Sequence, residues 1–162
     1  MKDLVAHAER AVALLIARQQ TIVVAESSAG GLISAALLAV PGASACMRGG
    51  IVVYTREMRR EILGLRDDEV RGITPSTEQY ALLKARRVRE RMNTDWALSE
   101  TGATGPTGSR YGYPPGHACF AVVGAGIERA STLETGRADR VENMQDFAAA
   151  AIDFLVEVIS VR

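Results

Sequence analysis

The chain has 162 residues, enough for one domain with a real hydrophobic core. Apolar residues make up 48% of it and aromatics 5%, so that core must be built from Ala, Val, Leu and Ile. Nineteen basic residues balance nineteen acidic ones, which removes the uniformly basic face that duplex nucleic acid requires.

Asp3 is placed to cap a first helix, whose apolar positions Val5, Ala8, Val12, Leu15 and Ile16 follow helical spacing. Residues 21–25 form a short β-branched run that reads as a strand buried on both faces. A Glu-Ser-Ser-Ala-Gly-Gly turn follows, and residues 32–40 read as a helix stopped by Pro41-Gly42. Residues 50–54 read as a second strand, leading into a charged helical piece over 55–63 that Gly64 ends. Pro75 opens a long helix reaching Met92, with Ser76 as its cap. Lys84, Arg86, Arg87, Arg89 and Arg91 crowd this helix and read as a solvated face.

Residues 95–100 give a third strand, ending in a turn from Thr101 to Gly108 and a polar loop from Ser109 to Pro115. Residues 118–123 and 130–133 read as a hairpin around Gly124-Ala125-Gly126. Residues 141–161 close the chain as an amphipathic helix. Strands alternating with helices, without a repeat or a linker, predict a single-domain α/β/α sandwich with a mixed central sheet. No apolar run is long enough for a bilayer and no signal peptide is evident, so a cytoplasmic protein without membrane contact is expected. Cys46 and Cys119 stand alone, which points away from zinc and from disulfides.

Ligands of open α/β sheets bind beyond the carboxyl ends of strands. The first such end carries Glu26, Ser27, Ser28, Ala29, Gly30 and Gly31. A serine there sits beside the free amides of a helix start, which suit an oxyanion or a phosphate; the plainer reading is a helix cap. The second end runs from Tyr54 to Arg60 and by itself reads as the start of a surface helix. The third, Thr101-Gly102-Ala103-Thr104-Gly105, is a glycine-rich turn after a buried strand, either an anion cradle or an ordinary loop. His7 reads as solvent-facing. His117, near the glycine turn, either donates to a ligand or satisfies a carbonyl, since no carboxylate partner is evident.

Together these segments resemble the CinA C-terminal domain family. Residues 25–31 (Ala-Glu-Ser-Ser-Ala-Gly-Gly) are similar to that family's Ala-Glu-Ser-Cys-Thr-Gly-Gly, and residues 40–45 to its Val-Pro-Gly-Ser-Ser run. Residues 49–55 resemble Gly-Gly-Val-Val-Ala-Tyr-Ser, residues 63–65 resemble Leu-Gly-Val, and residues 101–106 resemble Thr-Gly-Ile-Ala-Gly-Pro.

The resemblance implies a nicotinamide mononucleotide amidohydrolase, releasing ammonia and leaving nicotinic acid mononucleotide, with no metal or cofactor. It implies Ser27 as nucleophile and Tyr54 beside it. The amides of residues 28–30 and the turn at Gly102 to Gly105 would hold the oxyanion and the phosphoribosyl group. Homo-oligomers are expected, nucleic acid is not. Ser28 stands where the family has cysteine, and Ala29 where it has threonine. Arg59 stands where the family has the lysine taken to activate the serine. Neutralising an arginine near pH 7 means a shift of at least ~5 pKa units, about 7 kcal/mol, so Arg59 is not a base. Either Tyr54 serves instead, steadied by the charge of Arg59, or the pocket binds an anionic nucleotide without hydrolysing it.

Overall fold

The computed structural model describes residues 1–124 and 126–161. Five strands form one sheet in the order β2-β1-β3-β4-β5. They are β1 (Ile22–Glu26), β2 (Met47–Val52), β3 (Trp96–Ala103), β4 (His117–Gly124) and β5 (Ile127–Glu134). β1 lies parallel to both β2 and β3, whereas β4 and β5 join antiparallel. The parallel centre follows from helical crossovers, and the antiparallel side from a hairpin. Ala125, in the expected hairpin turn, lies outside the described residues.

Period-two alternation on the strands splits the core in two. Ile22, Val24, Trp96, Leu98, Phe120 and Val122 face α1 (Lys2–Ala17), α2 (Leu32–Leu38) and α5 (Arg140–Ser160). Val23, Ala25, Ala97, Ala121 and Val123 face α4 (Glu78–Met92) and the segment after α3 (Arg56–Glu61). The small side chains Ala81 and Ala85 let α4 lie close on its face, as the low aromatic content required. The fold is the mixed α/β/α sandwich expected from the alternation of elements.

Several boundaries differ from expectation, each for a physical reason. The cap of α4 is Thr77, whose Oγ1 accepts the Tyr80 N–H (3.2 Å); Ser76 instead takes a left-handed backbone (φ 63°) one residue earlier. Asp3 lies inside the first turn of α1 rather than at its cap. β2 starts at Met47 because its pairing with β1 begins at Ile22. β3 runs on through Thr101, Gly102 and Ala103, so the first three residues of the expected glycine turn are strand. Gly102 and Ala103 pair with Ala118 and His117. Only glycine fits at position 102, where a Cβ would stand 2.4 Å from the His117 carbonyl oxygen.

The basic helix is a solvated face only in part: Arg86 and Arg91 are exposed, and Arg87 and Arg89 are half-buried. Lys84 is fully buried. Arg86 pairs with Glu128, Arg87 with Glu69 and the Gly64 carbonyl, and Arg89 donates to the Asp95 carbonyl.

Candidate functional site

The pairing of β1 with β3 stops beside two buried glutamates, one at the end of β1 and one within β3. Glu26 and Glu100 follow the last paired residues, Ala25 and Ser99, and both are inaccessible to solvent. Burying a carboxylate is tolerated only when hydrogen bonds satisfy it. Glu26 turns into the start of α2. Its Oε2 accepts the N–H groups of Gly31 (2.9 Å) and Ile33 (3.1 Å), while Oε1 accepts the Ser34 N–H (2.8 Å) and hydroxyl (2.5 Å). Burial nevertheless raises its pKa, with the Ser34 and Ile33 donors opposing. Glu26 is thus a helix cap. The sequence places it among the ligand-binding residues, whereas in the fold its oxygens are engaged by the start of α2.

Glu100 holds the serine turn from below. Its Oε2 accepts the N–H groups of Ser27 and Ala29, both at 2.9 Å, and its Oε1 accepts the Ser28 hydroxyl in a short contact. On the opposite face of the sheet Lys84 Nζ donates to the Glu100 carbonyl oxygen (2.8 Å). Complete burial pushes the Lys84 pKa down to about 8, against the pull of Glu100 and Glu26. This buried set of two carboxylates and one ammonium was not legible as a unit in the sequence.

The turn's amides are therefore mostly engaged. Ala29 N–H is bound by Glu100, Gly30 N–H by the Ser27 carbonyl and Gly31 N–H by Glu26. Of the amides expected to hold an oxyanion, only Ser28 N–H lacks an acceptor among the described residues. Gly30 and Gly31 supply left-handed backbone to the turn (φ 68° and 98°) and do not wall the cleft.

Three adjoining hollows make one cleft above these strand ends. The central one, of about 290 Å³, has the partly exposed Ser27 and the residues Thr101 and Gly102 in its wall, with Tyr54, Tyr80, Tyr111, Arg56 and Arg110 around them. The second, of about 220 Å³, is walled by Ser28, the bend from Gly102 to Gly105 and Arg140. It shares Tyr54, Gly102 and Ser109 with the first. Ser27 and Gly102 thus line the central hollow together from neighbouring strands, and the rest of the glycine bend lines the adjoining one.

Arg140 spans the second hollow, donating to the Gly105 carbonyl (2.7 Å) and to the Tyr54 hydroxyl (3.1 Å). The guanidinium touching Tyr54 is therefore that of Arg140. The third hollow, of about 280 Å³, holds Arg59, paired with Asp67, beside Arg56, Tyr80 and Tyr111. Burial raises the Tyr80 pKa, and the guanidinium charges of Arg59 and Arg56 oppose that rise.

His117 does have a carboxylate partner. The β4–β5 register sets Glu134 directly opposite, so Nδ1 contacts Glu134, while Nε2 lies 2.7 Å from the Ser76 carbonyl and Tyr113 stacks on the ring. This tie fastens the loop before α4 to the sheet beside the cleft. Among the described residues no His, Cys, Asp and Glu cluster has the makings of a metal site, and no helix is long and apolar enough to cross a membrane.

Comparison with known proteins agrees with this architecture. Residues 5–159 match the model of the CinA C-terminal domain. A CinA-like protein of Gloeobacter violaceus is 36% identical over 129 residues, covering 80% of this chain and 30% of that protein. A CinA-like protein of Chlorobium limicola is 32% identical over 154 residues, covering 90% and 36%. The chain therefore spans about a third of the length of these relatives. Among solved structures, a competence/damage-inducible protein of Agrobacterium tumefaciens superposes with a TM-score of 0.88 at 27% identity, covering 96% of this chain and 95% of that one. A CinA superfamily protein of Klebsiella pneumoniae shares the fold with a TM-score of 0.91 at 24% identity, over 98% and 99%. The chain belongs to the CinA C-terminal domain family.

Proposed function

We propose that the chain binds a pyridine mononucleotide in this cleft, as a ligand-binding member of its family in which lysine-activated hydrolysis has been lost. One observation carries the reading. The position that resemblance assigns to the activating lysine holds Arg59, whose guanidinium stays protonated and is paired with Asp67, so it cannot accept the serine's proton. The remaining features suit an anionic, ring-bearing ligand. Arg56, Arg110 and Arg140 supply positive charge, and Tyr54 and Tyr111 supply flat faces.

A second reading, hydrolysis of the carboxamide through Ser27, is favoured by the partly exposed position of Ser27 on the cleft wall and by the unengaged Ser28 N–H next to it. In that chemistry the Ser27 oxygen attacks the amide carbon, ammonia leaves with the transferred proton, and water releases the acid. One experiment separates the two. Wild-type protein is expected to gain thermal stability with nicotinamide mononucleotide and to release no ammonia, and Arg59→Lys is expected to introduce turnover. Ammonia release by the wild type that Ser27→Ala abolishes establishes the hydrolase instead. Absence of any stabilisation by pyridine mononucleotides overturns the binding reading. A homo-oligomer forms part of the same proposal, and light scattering measures it.

A further inference from the structure

Arg59 is a buried charge with an unmet donor. It is 4% exposed, and its Nε is buried with no hydrogen-bond partner among the described residues. Its ion-pair partner, Asp67, lies on the loop after α3 with a side chain 71% exposed and touches only Nη2. A buried guanidinium is ordinarily met along its Nε–Nη2 edge by two oxygens of one carboxylate or phosphate. Here Nε meets no protein acceptor among the described residues, and the oxygen on Nη2 belongs to a solvent-exposed side chain.

The surroundings favour an anion. Arg56 is the second cation of the hollow and Asp67 its one acid, which leaves one positive charge in excess. The phenol of Tyr80 lies close enough for both guanidiniums to act on it, adding a neutral donor group. Arg56, Pro75, Tyr80 and Tyr111 are common to this hollow and to the central one, so the two adjoin.

We infer that the Arg59 hollow is a subsite for a second anionic group of the ligand, with Asp67 as an exchangeable plug. Resting on the mononucleotide reading above, this makes the preferred ligand an acid and not an amide: a pyridine mononucleotide bearing a ring carboxylate. The phosphate is taken at the glycine bend and Arg140, and the carboxylate displaces Asp67 from Arg59. Arginine at this position thus exchanges a catalytic role for recognition of the deamidated form of the nucleotide.

The test compares nicotinic acid mononucleotide with nicotinamide mononucleotide by titration calorimetry on the intact chain. Wild type is expected to bind the acid at least ~10-fold more tightly. Arg59→Gln should bring the two within about threefold, and Asp67→Asn should strengthen binding of the acid by removing its competitor. Equal affinities in the wild type, or a preference that survives Arg59→Gln, overturn the subsite while leaving the binding reading intact. If neither nucleotide binds, the binding reading fails and inorganic phosphate decides the subsite. Phosphate should shift the Arg59 Nε–H resonance in nitrogen-15 spectra, more strongly in Asp67→Asn. An unmoved resonance refutes the subsite. Asp67→Asn alters an exposed side chain, so the test survives misfolding of Arg59→Gln.

Discussion

Replacing Glu100 by glutamine keeps the shape of the side chain and removes its charge. Its oxygens, themselves inaccessible to solvent, accept from Ser27 N–H, Ala29 N–H and the Ser28 hydroxyl. A hydrogen bond to a charged acceptor contributes about 1.5–3 kcal/mol, against about 0.5–1.5 for a neutral one. The two N–H bonds therefore lose roughly 1 kcal/mol each. The Ser28 hydroxyl must also turn to accept from the new amide, and Lys84 loses one of its two nearby anions. Relief of carboxylate desolvation offsets part of this, leaving a net loss of about 2–3 kcal/mol. For a domain of this size that lowers Tm by roughly 4–12 °C. Glu100→Ala strands three donors at about 1–3 kcal/mol each, a sum comparable to the whole stability of many domains. Urea unfolding followed by circular dichroism measures both variants. If glutamine proves as stable as glutamate to within about 0.5 kcal/mol, or alanine milder than glutamine, the carboxylate does not hold the turn.

Lys84 gives a pH dependence of definite sign. Folded, it releases its proton at about 8, and its ordinary value is 10.5. Between those values the unfolded chain binds more protons, so stability rises with pH by up to about 1.4 kcal/mol per unit. Lys84→Met should lack that increment, and equal slopes in the two proteins over pH 8–10 would show that the ammonium is not desolvated. Gly102→Ala forces a Cβ to within 2.4 Å of the His117 carbonyl and 3.0 Å of the Ser28 hydroxyl. It should cost more than ~2 kcal/mol and weaken nucleotide binding, which a thermal melt with and without ligand reads out. Thr77→Ala removes the α4 cap and should cost about 1 kcal/mol, whereas Ser76→Ala should leave the helix cap intact; equal loss in both places the cap wrongly.

The serine turn, Tyr54 and the glycine bend were legible in sequence because each sits where a strand ends, and strand ends announce themselves by β-branched runs giving way to Gly, Ser and Thr. The buried charges were not. Lys84 lies among four arginines, and periodicity alone cannot say that the sheet covers this one position while its neighbours pair with Glu128, Glu69 and main-chain carbonyls. Glu100 ends an apolar strand, which reads as an exit to solvent until β3 is seen to continue to Ala103. The available signal was a pair of glutamates, Glu26 and Glu100, each closing an apolar strand. Their proximity required knowing that β1 and β3 are neighbours. The partners of Arg59 and His117 depend in the same way on loop geometry and hairpin register.

Ser28, Lys84 and Glu100 form a set whose members suit only one another. Replacing Glu100 alone by an aliphatic residue leaves an ammonium in a dry interior, and replacing Lys84 alone leaves a carboxylate there. An apolar residue at position 100 would still leave the N–H groups of Ser27 and Ala29 without their acceptor. Any viable exchange must therefore replace the acceptor as well as the charge, and single steps are less stable than the intact set. Descendants of this sequence are therefore expected to keep all three residues or to exchange them together, and a graft of the serine turn onto a related scaffold will hold its shape only if the other two positions travel with it.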